Sequence, residues 1–165
     1  MYFEILFLEE PVPRHFLGES QKACYARITI AEFSERIIVP LDFWSQENYR
    51  AQWIDGVSRL VVGRREVSAL YTEVYNFNHS HFAPVCWLLY REGETVYVQN
   101  KWLPRETLPH DFNPLEGYKS LPPRETRTPE GDQISEWITN INALATWRSK
   151  LMAVDDSPKA DYPRA

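Results

Sequence analysis

Positive charge is in short supply in this 165-residue sequence, which carries 18 Lys and Arg against 23 Asp and Glu for a net charge of -5. A surface that tracks a phosphate backbone needs clustered cations, so this balance argues against nucleic acid and for a basic partner. Glycine is scarce too: the residues at 18, 56, 63, 93, 117 and 131 never cluster, which excludes a glycine-rich phosphate cradle. Cysteine is limited to Cys24 and Cys86, 62 positions apart, with no metal or redox spacing. Both sit in apolar, strand-like runs and are expected as reduced, buried thiols. There is no Gly-x-Ser-x-Gly elbow and no cysteine-nucleophile signature, so acyl-transfer catalysis is unsupported. The longest apolar runs, Tyr2 to Leu8 and Pro84 to Tyr90, fall far short of the roughly 18 residues that cross a bilayer. The opening Met-Tyr-Phe-Glu-Ile has no basic stretch ahead of an apolar one, so no secretory leader is visible and the cytoplasm is the expected compartment.

What is abundant is apolar and aromatic surface: 44% of residues are hydrophobic and 14% aromatic, enough for a single domain to fold alone. That domain is expected over residues 1–152. The tail "AVDDSPKADYPRA", 153–165, has two prolines and no apolar period and is expected to fray. "WLLYREGETVYVQNKW", Trp87 to Trp102, predicts a β-hairpin with its turn near Gly93. Alternation puts Trp87, Leu89, Val96 and Val98 on one face and Leu88, Tyr90, Thr95 and Tyr97 on the other. Neither face is polar, which fits either a hairpin covered on both sides or an aromatic platform for stacked bases.

A first strand is expected within Met1 to Leu8, ended by Pro11 and Pro13. A second hairpin is expected from Ala23–Phe33 and Arg36–Val39, turning at Glu32 to Glu35. "FWSQENYRAQWIDGVSRLVVG" predicts a helix, with Ser45 as its N-cap, Gly63 as its stop, and Tyr49, Trp53, Val57 and Leu60 on one apolar face. Glu66 to Phe77 reads as a strand that pairs with the Trp87 hairpin. Six prolines between Leu103 and Gly131 predict an irregular but ordered crossing, anchored by Leu108, Phe112, Leu115, Tyr118 and Leu121. A last helix is expected to begin near Ser135, with Asp132 closing the turn that launches it.

Candidate chemistry is sparse. His79 and His81 have strand spacing for one metal, but His15 and His110 bring no ligand spacing to complete the site, and no metal or cofactor is expected. Asp42, Glu47, Glu73, Glu92, Glu94, Asp132 and Glu136 could meet in space, although a solvated acidic surface is the simpler role. No residue is assigned as catalytic.

Three segments taken together, "VPLDFWSQENYRAQW" at 39–53, "WLLYREGETVYVQN" at 87–100 and "GDQISEWITNINAL" at 131–144, carry a family likeness. In this order and spacing, over roughly Ile37 to Leu151, the chain resembles the immunity proteins of bacterial contact-dependent growth inhibition systems, in the branch related to the Enterobacter cloacae immunity protein. The resemblance implies a single-domain α+β protein, mainly antiparallel sheet of about six to eight strands with two principal helices, similar to the whirly single-strand-binding fold. It implies a non-enzymatic inhibitor that binds a cognate C-terminal toxin domain, 1:1 and often an RNase, by steric blockade, with no direct nucleic acid and no membrane. A net charge of -5 suits capture of a basic substrate groove.

Because the matching segments are the most apolar ones, they record scaffold, and partner-reading residues are sought among exposed acids and loop aromatics. The candidates are Asp42, Glu47, Glu73, Glu92, Glu94, Asp111, Tyr118 and Asp132. Two alternatives make different demands on the structure. A single-strand nucleic-acid binder requires a basic stripe beside the hairpin aromatics, and an enzyme requires a concave pocket of acids with perturbed pKa.

Overall fold

Ile30 and Phe33 face each other across a two-residue turn, and at its first position Ala31 takes φ = 52°, the left-handed region that L residues rarely enter. The computed structural model describes residues 1–17, 22–75 and 83–155. In it β1 (Phe3–Phe7), β2 (Ala23–Ile30) and β3 (Phe33–Pro40) form an antiparallel sheet in that order. The turn expected at Glu32–Glu35 therefore lies earlier, at Ala31–Glu32. Nothing marked it, because no Gly or Asn supplies the positive φ.

Ser45 and Asn48 close a reciprocal capping box, with the Asn48 N–H donating to Ser45 Oγ at 3.2 Å and the Ser45 N–H to Asn48 Oδ1 at 3.0 Å. That starts α1 (Gln46–Val61), and Gly63 ends its last turn with φ = 69°. The second sheet follows in chain order: β4 (Val67–Glu73), β5 (Val85–Glu92), β6 (Thr95–Trp102) and β7 (Trp137–Asn140), all antiparallel. Gly93, φ = 62°, turns β5 into β6, and the two side-chain sets expected of this hairpin are the ones its register produces. α2 (Ile141–Asp155) closes the described chain.

Each helix covers a sheet edge. Just ahead of β4 the Glu66 carbonyl accepts from the Arg91 N–H of β5, so Ala69 and Tyr71 present their backbone groups to the open side. Gln52 of α1 answers them as a strand would: Nε2 donates to the Ala69 carbonyl at 2.8 Å and Oε1 accepts from the Tyr71 N–H at 3.0 Å. Trp53 Nε1 donates to the Tyr71 carbonyl at 2.7 Å, and the Val74 N–H donates to the Tyr49 hydroxyl at 3.0 Å. The edge cannot recruit another strand while these bonds hold. On the other sheet, Trp147 of α2 donates from Nε1 to the Ile5 carbonyl at 3.1 Å.

The core joins both sheets and both helices. Phe7 stacks on Trp53 at 4.8 Å, Phe33 stacks on Trp137 at 4.2 Å, and Phe3 meets Trp147 edge-on at 5.6 Å. Trp87, Leu89, Val96 and Val98 are fully buried within it. Leu88 and Tyr90 on the opposite face are buried too, beneath the proline-rich crossing. Short 3-10 turns at Arg105–Thr107 and Pro114–Ser120 carry that crossing. Phe112 packs 6.3 Å from Tyr71, the Tyr90 hydroxyl donates to the Pro122 carbonyl at 3.2 Å, and Gln99 Nε2 donates to the Glu125 carbonyl at 2.8 Å. The hairpin is thus covered on both sides and is no open aromatic platform.

Two expectations about the crossing change. Leu115 is 56% exposed and anchors nothing; the buried contacts come from Pro114 and Gly117, where an added Cβ would fall on the Tyr71 hydroxyl and within 3.2 Å of Phe112. The last helix begins at Ile141 and not near Ser135, because Trp137–Asn140 pairs with Thr95–Val98 as β7. Asn140 accepts from the Ala143 N–H at 2.9 Å and caps the helix. Asp132 accordingly launches no helix: its backbone closes a small loop on Thr128, beside an isolated bridge between Arg127 and Gln133. The helix also runs through Asp155, three residues past the expected limit at Met152. His79 and His81, and the tail from 156 onward, lie outside the described residues.

Candidate functional site

The antiparallel register sorts the candidate acids to opposite ends of the four-stranded sheet. Glu73 pairs with Val85, which pairs with Trp102, so one end carries Glu73 and Trp102 two strands apart, about 10 Å between backbones. The β5–β6 turn, with Glu92 and Glu94, is the other end.

At the Glu73 end the chain brings several candidates together. Asp42 follows β3 and accepts from the Lys22 N–H at 3.3 Å. Glu47 lies exposed in the first turn of α1, where the helix dipole favours a negative charge. Glu73 accepts a 2.8 Å bond from the Tyr75 hydroxyl. Burial, that bond, and the charges of Glu73 and Asp42 raise the Tyr75 pKa, so Tyr75 stays protonated as a donor. Glu47 and Glu73 form no ion pair among the described residues. Large apolar groups accompany these acids: Phe43 is 46% exposed and Trp102 is 61% exposed. Sequence reasoning missed both, since Phe43 neighbours the buried Trp44 and Trp102 ends a buried strand; strand-end position was the available sign.

At the other end the acids are consumed. Arg124, from the crossing, donates Nη2 to Glu136 Oε1 at 2.7 Å, Nε to Glu136 Oε2 at 2.8 Å, and Nη1 to Glu92 Oε1 at 3.0 Å. Its guanidinium also lies 3.5 Å from the Tyr97 ring centre. Gln99 Nε2 completes the carboxylate's partners at 2.7 Å. The hydrogen bonds from Arg124, aided by Gln99, hold the Glu136 pKa below the usual carboxylate range, opposite to what a general acid needs. Glu94 sits 3.9 Å from Arg91. Asp111 and Asp132 are exposed on the crossing. Tyr118, half-buried, is covered by Arg59 at 3.4 Å and flanked by Arg65 at 5.3 Å. Of the eight candidates, Asp42 and Glu73 are brought together at Tyr75, Glu47 starts the helix whose Tyr49 bonds the Val74 N–H next to Glu73, and the other five are dispersed.

The two alternatives made specific demands of this surface. Among the described residues no basic stripe flanks the aromatics of the central hairpin, and the Arg124 guanidinium on Tyr97 is closed by Glu92 and Glu136. No three His, Cys, Asp or Glu side chains are grouped to hold a metal among the described residues, and no described helix is long and apolar enough to cross a membrane. Cys24 and Cys86 are buried and unpaired, and burial pushes the Cys24 thiol up to about 11. That is the pattern of an inert thiol.

Comparison with known proteins adds a likeness of family and fold. The family described as "CdiI N-terminal domain" matches residues 39–147. The immunity protein CdiI of Enterobacter cloacae subsp. cloacae is 32% identical over 124 residues, covering 75% of this chain and 83% of that protein. A solved structure, the CdiA-CT/CdiI toxin and immunity complex from Enterobacter cloacae, contains a chain that superposes with a TM-score of 0.77 at 29% identity, over 92% of this chain and 99% of that one. Structural likeness therefore reaches past the matched span into β1–β3.

Proposed function

The chain belongs to the CdiI N-terminal domain family, and on that premise we propose that it is an immunity protein that binds and neutralises the toxin domain of a contact-dependent growth inhibition effector. The observation that carries this is the agreement of sequence and fold with an immunity protein solved together with its toxin. It acts in the cytoplasm, one immunity protein to one toxin domain, by occlusion and without catalysis.

The finer reading concerns the surface and the target. The docking face is the end of the sheet bearing Asp42, Glu47 and Glu73 with Phe43 and Trp102. Glu47 and Glu73, which enter no ion pair among the described residues, supply long-range attraction, while exposed aromatic rings supply area that gains by desolvation. A groove that binds RNA is basic, so a toxin with RNase activity presents the complement, and a protein seated there excludes the substrate.

The test is calorimetric titration with an inactivated cognate toxin domain, beside a single-stranded oligonucleotide at two salt concentrations. Binding tighter than about 10 nM, on the order of -11 kcal/mol, with no oligonucleotide heat is expected. Trp102→Ala should weaken toxin binding by about 2 kcal/mol, roughly thirtyfold. Salt-sensitive oligonucleotide binding with a silent toxin overturns the function, and full toxin affinity in Trp102→Ala overturns only the choice of surface.

A further inference from the structure

The far end of α1 has the opposite chemistry from its start. Over its 16 residues the helix spans about 24 Å, from Glu47 to a cleft of about 500 Å³ whose walls include Arg59, Arg64, Arg65, Arg148, Asp55 and Tyr118. Arg59 is accounted for: it pairs with Asp55 one turn earlier and lies flat on Tyr118 at 3.4 Å. Arg148 donates to the hydroxyl of Ser58, a neutral partner. Among the described residues Arg64, Arg65 and Arg148 enter no ion pair, in a chain with 23 acidic residues.

Helix capping does not explain them. The carbonyls at the C-terminus of α1 are satisfied without these side chains: Arg91 Nη1 donates to Leu60 at 2.6 Å, the Val62 N–H to Ser58 at 3.0 Å, and the Arg64 and Arg65 N–H groups to Arg59 at 3.0 and 3.3 Å. Arg64, Arg65 and Arg148 line one concavity together with Arg59, their positive charges repel, and an anion with more than one charge relieves that repulsion best. The volume falls within the range of small-molecule sites, roughly 300–1,000 Å³. A single carboxylate leaves two cations uncompensated, and an RNA chain approaches against a net charge of -5. Tyr118 is closed to a stacking base by Arg59.

We propose that the cleft between the C-terminal end of α1, Tyr118 and Arg148 is a binding site for a phosphate group, free or carried by a small phosphorylated molecule, held by Arg64, Arg65 and Arg148. The site recognises the phosphate and not a base. It does not depend on the toxin-binding surface at the other end of the helix.

Calorimetry of the full chain with orthophosphate, adenosine monophosphate, adenosine, a hexaglutamate peptide and a single-stranded RNA tests it. Orthophosphate and the monophosphate are expected to bind at one saturable site, adenosine not at all, and affinity should rise with pH as the phosphate dianion forms, since arginine does not titrate there. Tighter binding of the monophosphate identifies a phosphorylated small molecule, and equal binding identifies free phosphate. Arg64→Gln with Arg65→Gln should weaken binding at least tenfold with an unchanged thermal midpoint. The single variants Arg64→Gln and Arg148→Gln, each expected to lose severalfold, serve where the double variant does not fold. The proposal is overturned by no saturable phosphate binding, by equal affinity in the variants, or by the peptide or RNA binding more tightly than the monophosphate at the same arginines.

Discussion

The two ends of the four-stranded sheet use the same residue types for opposite purposes. At the β5–β6 turn, Glu92 and Glu136 converge on Arg124, and the group ties the crossing to the sheet. At the β4–β5 end, Glu47 and Glu73 enter no ion pair among the described residues, Glu73 accepting from the neutral Tyr75 hydroxyl, and exposed rings lie at the same end. Net charge describes neither end. A carboxylate closed by two guanidinium hydrogen bonds contributes to folding and has little left to attract a partner; a solvated one contributes little to folding and keeps its field.

Substitutions that disturb one end while sparing the other test this division. The largest effect is expected from Gly117→Ala, whose methyl falls on Tyr71 beneath the crossing. It should cost about 2–3 kcal/mol in denaturant unfolding. The Tyr71 hydroxyl is buried with no hydrogen-bond partner among the described residues, so Tyr71→Phe alone should be neutral or slightly stabilising and should partly rescue Gly117→Ala. Next is Arg124→Ala, which strands the partly buried Glu136 and should lower stability by about 2 kcal/mol without changing the toxin association rate at matched folded concentration. A change in that rate means the ends are not separate.

Glu47→Gln with Glu73→Gln makes the reverse prediction. Stability should stay within about 0.5 kcal/mol, while stopped-flow association with the toxin slows several-fold at low salt and converges with the native rate at high salt. The smallest effect is the pH dependence of Glu136. Its pKa is lowered in the folded state, so its contribution is fully present above the unfolded value of about 4.3 and is lost as pH falls through the lower folded value. The thermal-midpoint gap between the native protein and Glu136→Gln should therefore close below about pH 4; a gap constant down to pH 2 removes the ionic account.

Elements written in local chemistry were legible. The Ser45 box, the one-face recurrence from Tyr49 to Leu60 and the glycine at 93 announce themselves within a few residues. β7 did not, because Trp137, Ile138, Ile141 and Leu144 fit a helical period as well as a four-residue strand running straight into a helix; Asn140, three residues before Ala143, was the missed sign. The Ala31 turn was hidden by a residue type that seldom adopts its conformation. Acidic candidates could be named by type, yet which of them are spent depends on Arg124, brought to Glu92 across 32 positions by the crossing. The arginines of the cleft were hidden likewise, since Arg148 meets Ser58 across 90 positions.

The bonds from Trp147 to the Ile5 carbonyl and from Thr139 to the Tyr2 carbonyl span 142 and 137 positions of sequence. They set a timetable for the molecule's birth. As translation proceeds at about 5–20 residues per second, β1 and its hairpin wait, with one edge bare, until the last strand and helix are made. Assembly then ends with a long-range closure of the kind that folds slowly. The N-terminal sheet therefore gains its last bonds only after segments 137 and 142 positions downstream have been made.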